Sequence, residues 1–209
     1  MYKLILASQS PRRKELLKMI ESDFEVKVSD CEEIITGSEP KQVTMELAEQ
    51  KAMAAAAELN KQKKNDKQIE TTVKDEDSFI VIGADTVVAS GTEIFGKPKD
   101  KDDARRMINK ISGASHQVYT GVALILVKGG NVKCIDVFSE KTDVEVVHMS
   151  SQEIEEYINS TEPYDKAGGY GIQGTFGKYV TGIKGDYNNV VGLPVCRLYN
   201  ELKKCIKNI

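Results

Sequence analysis

The segment FIVIGADTVVA, Phe79 to Ala89, constrains this chain more than any other stretch. It is short, nearly all apolar and rich in β-branched residues, which is the pattern of a β-strand covered on both faces. One acid interrupts it, Asp85. An ionised carboxylate out of water is costly unless a cation or hydrogen-bond donors meet it, so the strand predicts either a partner for Asp85 or a proton on it. Lys97 follows a short loop later. This stretch alone fits both an acid paired for stability and an acid kept for chemistry.

A second arrangement lies at the start of the chain. Lys3 to Ala7 reads as a short apolar strand, and Ser8-Gln-Ser-Pro-Arg-Arg then turns into a helix with Ser10 as N-cap and Pro11 at the first helical position. Leu16, Leu17 and Ile20 give that helix its core face. Arg12 and Arg13 fall in the first turn, where they oppose the helix dipole. Two cations there, beside free backbone N–H groups, suit a bound phosphate; the plainer reading is a solvated first turn.

A length of 209 residues is enough for a substantial core, and the sequence predicts one compact domain. With 40% hydrophobic and 29% charged residues, the composition is that of an ordinary globular protein. The net charge of -3 argues against a nucleic-acid partner, which needs a basic face. No long apolar span or basic leader is present, so neither a membrane partner nor secretion is predicted, and the expected location is cytoplasmic. Cys31, Cys134, Cys196 and Cys205 have no CxxC spacing and read as reduced thiols. His116 and His148 flank predicted strands without a nucleophile motif and read as structural.

Along the rest of the chain, Phe24 to Val28 reads as a strand and Asp30-Cys-Glu-Glu33 as an acidic loop. Pro40 opens a long helix through about Leu59, with Val43, Leu47, Ala48 and Ala52 on one side and Lys51 near that apolar face. Asn60 to Ser78 is lysine-rich and poor in apolar residues, and is expected to be a flexible surface insertion. Asp100 starts a helix closed by Gly113; His116 to Val127 and Val132 to Val147 form an antiparallel pair around Gly129-Gly-Asn131. Ser150 with Glu153 makes a capping box. The glycine-dense run Pro163 to Gly174 suits close approach of backbone to a flat ligand. Tyr179 to Ile183 and Asn189 to Val191 are expected to be closing strands, and Pro194 to start a C-terminal helix.

The motifs LILASQSPRRKELL, VIGADTVVASGTEIFGKPKDKDDARRMI, SGASHQVYTGVAL, EPYDKAGGYGIQG and NNVVGLP, in this order, resemble the Maf-like nucleotide pyrophosphatases over nearly the whole chain. The 60–78 stretch is longer than expected for bacterial members. The resemblance implies an α/β fold like that of inosine triphosphate pyrophosphatase: an elongated, mixed, bent β-sheet flanked by helices, with two lobes around a cleft. It also implies cleavage of a nucleoside triphosphate between the α and β phosphates, with a magnesium or manganese ion, as house-cleaning of the nucleotide pool, and is compatible with a homodimer. Arg12, Thr86 and Gln173 match the branch acting on dTTP and UTP, with CTP and modified pyrimidine nucleotides as further candidates.

In the family's pattern Asp85 is the base for the attacking water. Lys51 and Lys97 complete the catalytic set, and with Arg12 and Arg13 they form the expected clamp on the triphosphate; Ser8 and Ser10 add neutral donors. Glu33 is the chosen metal ligand beside Asp85, with Glu32 the close alternative. Thr86 and Gln173 are expected to read the base. The competing reading is a non-catalytic nucleotide sensor in cell-division control, which binds without turnover.

Overall fold

The structure, a computed structural model, describes residues 2–28, 32–67, 78–129 and 131–207. In chain order the elements are β1 (Tyr2–Leu6), α1 (Pro11–Leu17), β2 (Phe24–Val26), α2 (Pro40–Lys67), β3 (Ser78–Ser90), β4 (Glu93–Phe95) and α3 (Lys101–Ile111). There follow β5 (Ser115–Lys128), β6 (Asn131–Val146), α4 (Ser151–Ile158), β7 (Val180–Lys184), α5 (Tyr187–Val191) and α6 (Val195–Lys207). Short 3-10 turns fill Pro163–Asp165, Ala167–Gly169 and Thr175–Tyr179.

The strands form one seven-stranded mixed sheet in the order β2-β1-β3-β5-β6-β7, with β4 paired to β3. β1 is parallel to both β2 and β3, placing Leu4 opposite Phe24 and Ile80. β3–β4 and β6–β7 are antiparallel. The predicted strand through Asp85 is therefore a central one, parallel to β1 as its continuous apolar run requires.

Contacts divide the chain into two compact units. The first comprises residues 1–85, 121–139 and 195–209; the second comprises residues 86–120 and 140–194. In the first, Ile5, Val81, Ala123 and Ile125 pack against Ala48, Ala52, Ala55 and Ala56 of α2. The alanine face has a geometric purpose. A Cβ at Gly83 would land on the Ala48 carbonyl and the Ala52 side chain, and one at Gly121 on the Thr44 carbonyl. Helix and sheet backbones thus touch, and α2 is seated directly on β3 and β5.

In the second unit Phe95, Met107, Ile108, Ile111, Ile154, Tyr157, Tyr170 and Phe176 share a core. α3 starts as predicted, with the Asp100 side chain accepting from Asp103 N. The Ser150/Glu153 capping box of α4 is also present. His116 is fully buried, its Nε2 2.7 Å from the Tyr170 hydroxyl, and burial pushes its pKa down to about 4, so it is neutral at physiological pH.

Three expectations need correction. Asn189 to Val191 is not a strand but part of α5: Asp186 caps it by accepting from Asn188 N at 2.7 Å, and Gly192 ends it at φ 127°. Local capping outweighs the β-branched pair Val190–Val191. α2 does not stop near Leu59. Residues 60–67 of the expected flexible insertion continue the helix, because this lysine-rich run contains no glycine or proline. Residues 68–77 lie outside the described residues, as do residues 29–31 of the acidic loop, including Cys31, and Gly130 of the hairpin turn. α1 ends at Leu17, so Ile20 lies beyond the helix, in a turn where Ile20 N donates to Leu17 O. Cys134, Cys196 and Cys205 are free thiols.

The close seat of α2 has a direct test. Gly83→Ala adds a methyl where backbone and an alanine side chain already meet, and overpacking of this kind costs about 1–3 kcal/mol. Thermal denaturation is expected to show a midpoint lowered by roughly 2–12 °C. An unchanged midpoint would mean that α2 does not rest on β3 at this position.

Candidate active site

α2 places Lys51 one residue before Ala52, which packs on Gly83, two positions ahead of Asp85 on β3. The seat of the helix therefore sets the reach of the lysine. Lys51 Nζ donates to Asp85 Oδ1 at 2.5 Å and lies 2.9 Å from Glu33 Oε1. The side chains of Lys51 and Asp85 are only 25% and 14% exposed, whereas Glu33 is 49% exposed, so the pair with Asp85 is the better shielded. Burial alone would lower the Lys51 pKa, but Asp85 and then Glu33 outweigh it, and the pKa is raised above 10.5. The lysine is therefore a fixed cation between two carboxylates. The partner that the strand demanded for Asp85 is Lys51.

Glu33 is held in place from α2. Glu46 accepts from Thr36 N at 2.9 Å, Thr36 Oγ1 at 2.7 Å and Gly37 N at 3.2 Å. One turn on, Gln50 accepts from Ile34 N at 2.9 Å and donates to Ile34 O at 2.6 Å. Spaced four residues apart on one helix face, Glu46 and Gln50 fasten the loop that follows Glu33. Sequence reasoning missed both, although an acid and an amide at this spacing on the exposed side of a helix were visible. Glu32, the alternative to Glu33, instead lines an open groove with Ile34, Thr36, Glu46, Gln50 and Met53.

The β1–α1 turn brings in the second set. Ser10 caps α1, accepting from Arg13 N at 3.4 Å. Ser8 is buried and its Oγ accepts from Ser10 N and from Arg13 Nη1, each at 3.3 Å. Burial lowers the Arg13 pKa; the Asp85 charge opposes that shift and neighbouring Arg12 adds to it. Arg13 is thus within electrostatic reach of Asp85, and Ser8 helps to aim it. α1 spans only seven residues, so the two guanidinium groups, rather than the helix dipole, dominate the charge here. Ser8, Ser10, Arg12, Arg13, Glu33, Lys51 and Asp85 all belong to the first unit.

Thr86, Lys97 and Gln173 belong to the second. Thr120 Oγ1 donates to the Asn189 carbonyl at 3.0 Å, so its one proton is spent. In the 2.9 Å pair between the two hydroxyls, Thr86 must therefore be the donor, and toward any further group Thr86 Oγ1 is an acceptor. Asn189 is itself fixed by Nδ2 bonds to Val118 O and Thr142 Oγ1, both 3.0 Å. Lys97 and Gln173 are exposed. Among the described residues there is no cluster of three or more metal-ligating side chains. No helix among them is long and apolar enough to cross a membrane.

A profile of the family described as Maf-like protein matches residues 3–205. The chain belongs to the Maf family. It is 50% identical over 204 residues to a protein of Agathobacter rectalis named dTTP/UTP pyrophosphatase, covering 98% of each chain. A protein of the same name from Bacillus cereus is 44% identical over 205 residues, covering 98% of this chain and 96% of its own. The near-equal coverage leaves no room for a long insertion relative to the A. rectalis protein. Among solved structures, a HAM1 protein from Coxiella burnetii aligns over 98% of this chain and 100% of its own, at 14% identity and a TM-score of 0.49.

Removing the central cation tests the site's electrostatics. Lys51→Met leaves Asp85 shielded and short of its main partner. The expected loss is about 2–3 kcal/mol, below that of a fully buried pair because Lys51 keeps some solvent contact. Because the folded pKa of Lys51 is raised, its contribution is complete below pH 10.5 and fades as pH rises through the folded value. Denaturant melts should show this alkaline loss in the wild type and not in Lys51→Met. The same loss in both proteins would place its source elsewhere.

Proposed function

We propose that this protein hydrolyses dTTP and UTP between the α and β phosphates, releasing the nucleoside monophosphate and pyrophosphate, as a cytoplasmic house-cleaning enzyme of the nucleotide pool. The observation that carries the chemistry is the Lys51 ammonium seated between Asp85 and Glu33 at 2.5 and 2.9 Å. Two carboxylates already converging on a cation are the oxygen donor set that a hard divalent ion takes, so Glu33 and Asp85 would hold magnesium or manganese. When bound, such an ion supplies charge neutralisation at the phosphates.

The chain's own residues do the rest. Asp85 accepts a proton as water attacks phosphorus; the new P–O bond forms as the bond to the bridging oxygen breaks, and that oxygen leaves with pyrophosphate. Phosphoryl transfer needs charge balance more than covalent help, and Arg12, Arg13, Lys51 and Lys97 provide it, with Ser8 and Ser10 as neutral donors. Thr86 as an acceptor suits the N3–H of uracil or thymine, and the Gln173 amide can match a neighbouring carbonyl. The substrate pair rests on the names of relatives that are 44–50% identical over nearly the whole chain.

Pyrophosphate release from dTTP, UTP, CTP, 7-methyl-GTP and the common purine triphosphates, with magnesium or manganese, checks this directly. The wild type is expected to prefer dTTP and UTP. Asp85→Asn is expected to lose at least about a thousandfold in kcat with nucleotide binding retained. Binding without turnover in the wild type would overturn the enzyme and favour a nucleotide sensor.

A further inference from the structure

The run Pro163 to Gly174 owes its shape to one residue just before it. Glu162 Oε2 accepts from Thr175 N at 2.8 Å and Thr175 Oγ1 at 2.7 Å. Its Oε1 accepts from the Tyr157 hydroxyl at 3.2 Å and Phe176 N at 3.4 Å. Both carboxylate oxygens are engaged from the far side of the turn that carries Gln173. Gly174 stands at φ -95° and ψ -161°, a conformation open to any residue, yet a Cβ there would land on the Glu162 carboxylate. The glycine is required by the acid and not by the backbone.

Neighbouring contacts close the structure. Lys166 Nζ donates to the Glu162 carbonyl at 2.7 Å, and its stem lies where a Cβ on Gly171 would come within 2.7 Å. Phe176 is fully buried, with ring centroids of Tyr170 and Tyr157 at 4.7 and 5.2 Å. Between these anchors Gln173 is exposed, and its side chain makes no hydrogen bond among the described residues. Burial alone would raise the Glu162 pKa, but the Thr175, Phe176 and Tyr157 donors outweigh it and hold the carboxyl below its ordinary value. It is an anion at neutral pH.

We infer that Glu162 is a positioning residue for Gln173: its carboxylate is the internal anion around which residues 171–176 fold, and so it sets base selectivity without touching the base. This rests on the reading of Gln173 as a base reader. Glu162→Gln keeps the volume but turns an NH2 group toward a cluster of donors, so the turn loosens while the core beneath it stays.

The test is the ratio of kcat/KM for UTP to that for GTP in wild type, Gln173→Ala, Glu162→Gln and the double variant. Gln173→Ala and Glu162→Gln should each lower the ratio by roughly fivefold to tenfold, the worth of one hydrogen bond. The double variant should fall no further. Gly174→Ala, which displaces the same carboxylate, should copy Glu162→Gln and replaces it if that variant does not fold. A lowered ratio in Gln173→Ala with an unchanged one in Glu162→Gln would overturn the positioning role and leave the base reader intact. An unchanged ratio in Gln173→Ala would overturn the base reader and this role with it. If Glu162→Gln lowered the ratio by the same factor with and without Gln173, the effect would not pass through that residue, and the role would be overturned.

Discussion

The Lys51–Asp85 ion pair is the interaction on which the rest of this site depends. It exists because a helix lies directly on a sheet. Gly83 and Gly121 remove the side chains that would separate them, Ala48 and Ala52 keep the helix face flat, and the lysine beside that face reaches the single acid of the central strand. A partly buried pair of this kind gains little stability over an apolar substitute, because desolvation offsets much of the attraction. Its value is that it fixes the carboxylate with a charge beside it, as phosphoryl chemistry requires.

Each of the two units uses one device, a carboxylate turned onto backbone N–H groups. Glu46 does this for the loop after Glu33, and Glu162 for the turn that carries Gln173. Both acids act as fixed anions that organise irregular backbone, which has no ladder of its own to satisfy its donors. Glu33 and Gln173, the exposed side chains proposed to carry chemistry, stand on backbone fastened in this way.

Much of this was legible in the sequence. The Asp85 strand, the Ser10 and Asp100 caps, the capping box at Ser150 and the apolar face of α2 were written in local residue order, and the structure has each of them. The demand for a cation beside Asp85 was legible too, but the sequence pointed to Lys97, a short loop away, whereas the structure supplies Lys51 from α2. The misreadings share a cause. Asn189 to Val191 looks like a strand by composition, yet Asp186 and Gly192 close it into a helix, and the buried bonds of Asn189 hold it there. Glu46, Gln50 and Glu162 escaped notice because an acid or an amide among polar residues reads as solvated surface; only tertiary structure reveals donors facing it.

The most direct measurement is anomalous diffraction from crystals soaked with manganese and a UTP analogue whose α–β bridge is an imido group. A manganese peak within about 2.3 Å of carboxylate oxygens of both Glu33 and Asp85, with the Lys51 ammonium moved aside, is the predicted result. A peak away from that pair, with Lys51 still between the two acids, would contradict the assignment of this cluster as the hydrolytic centre.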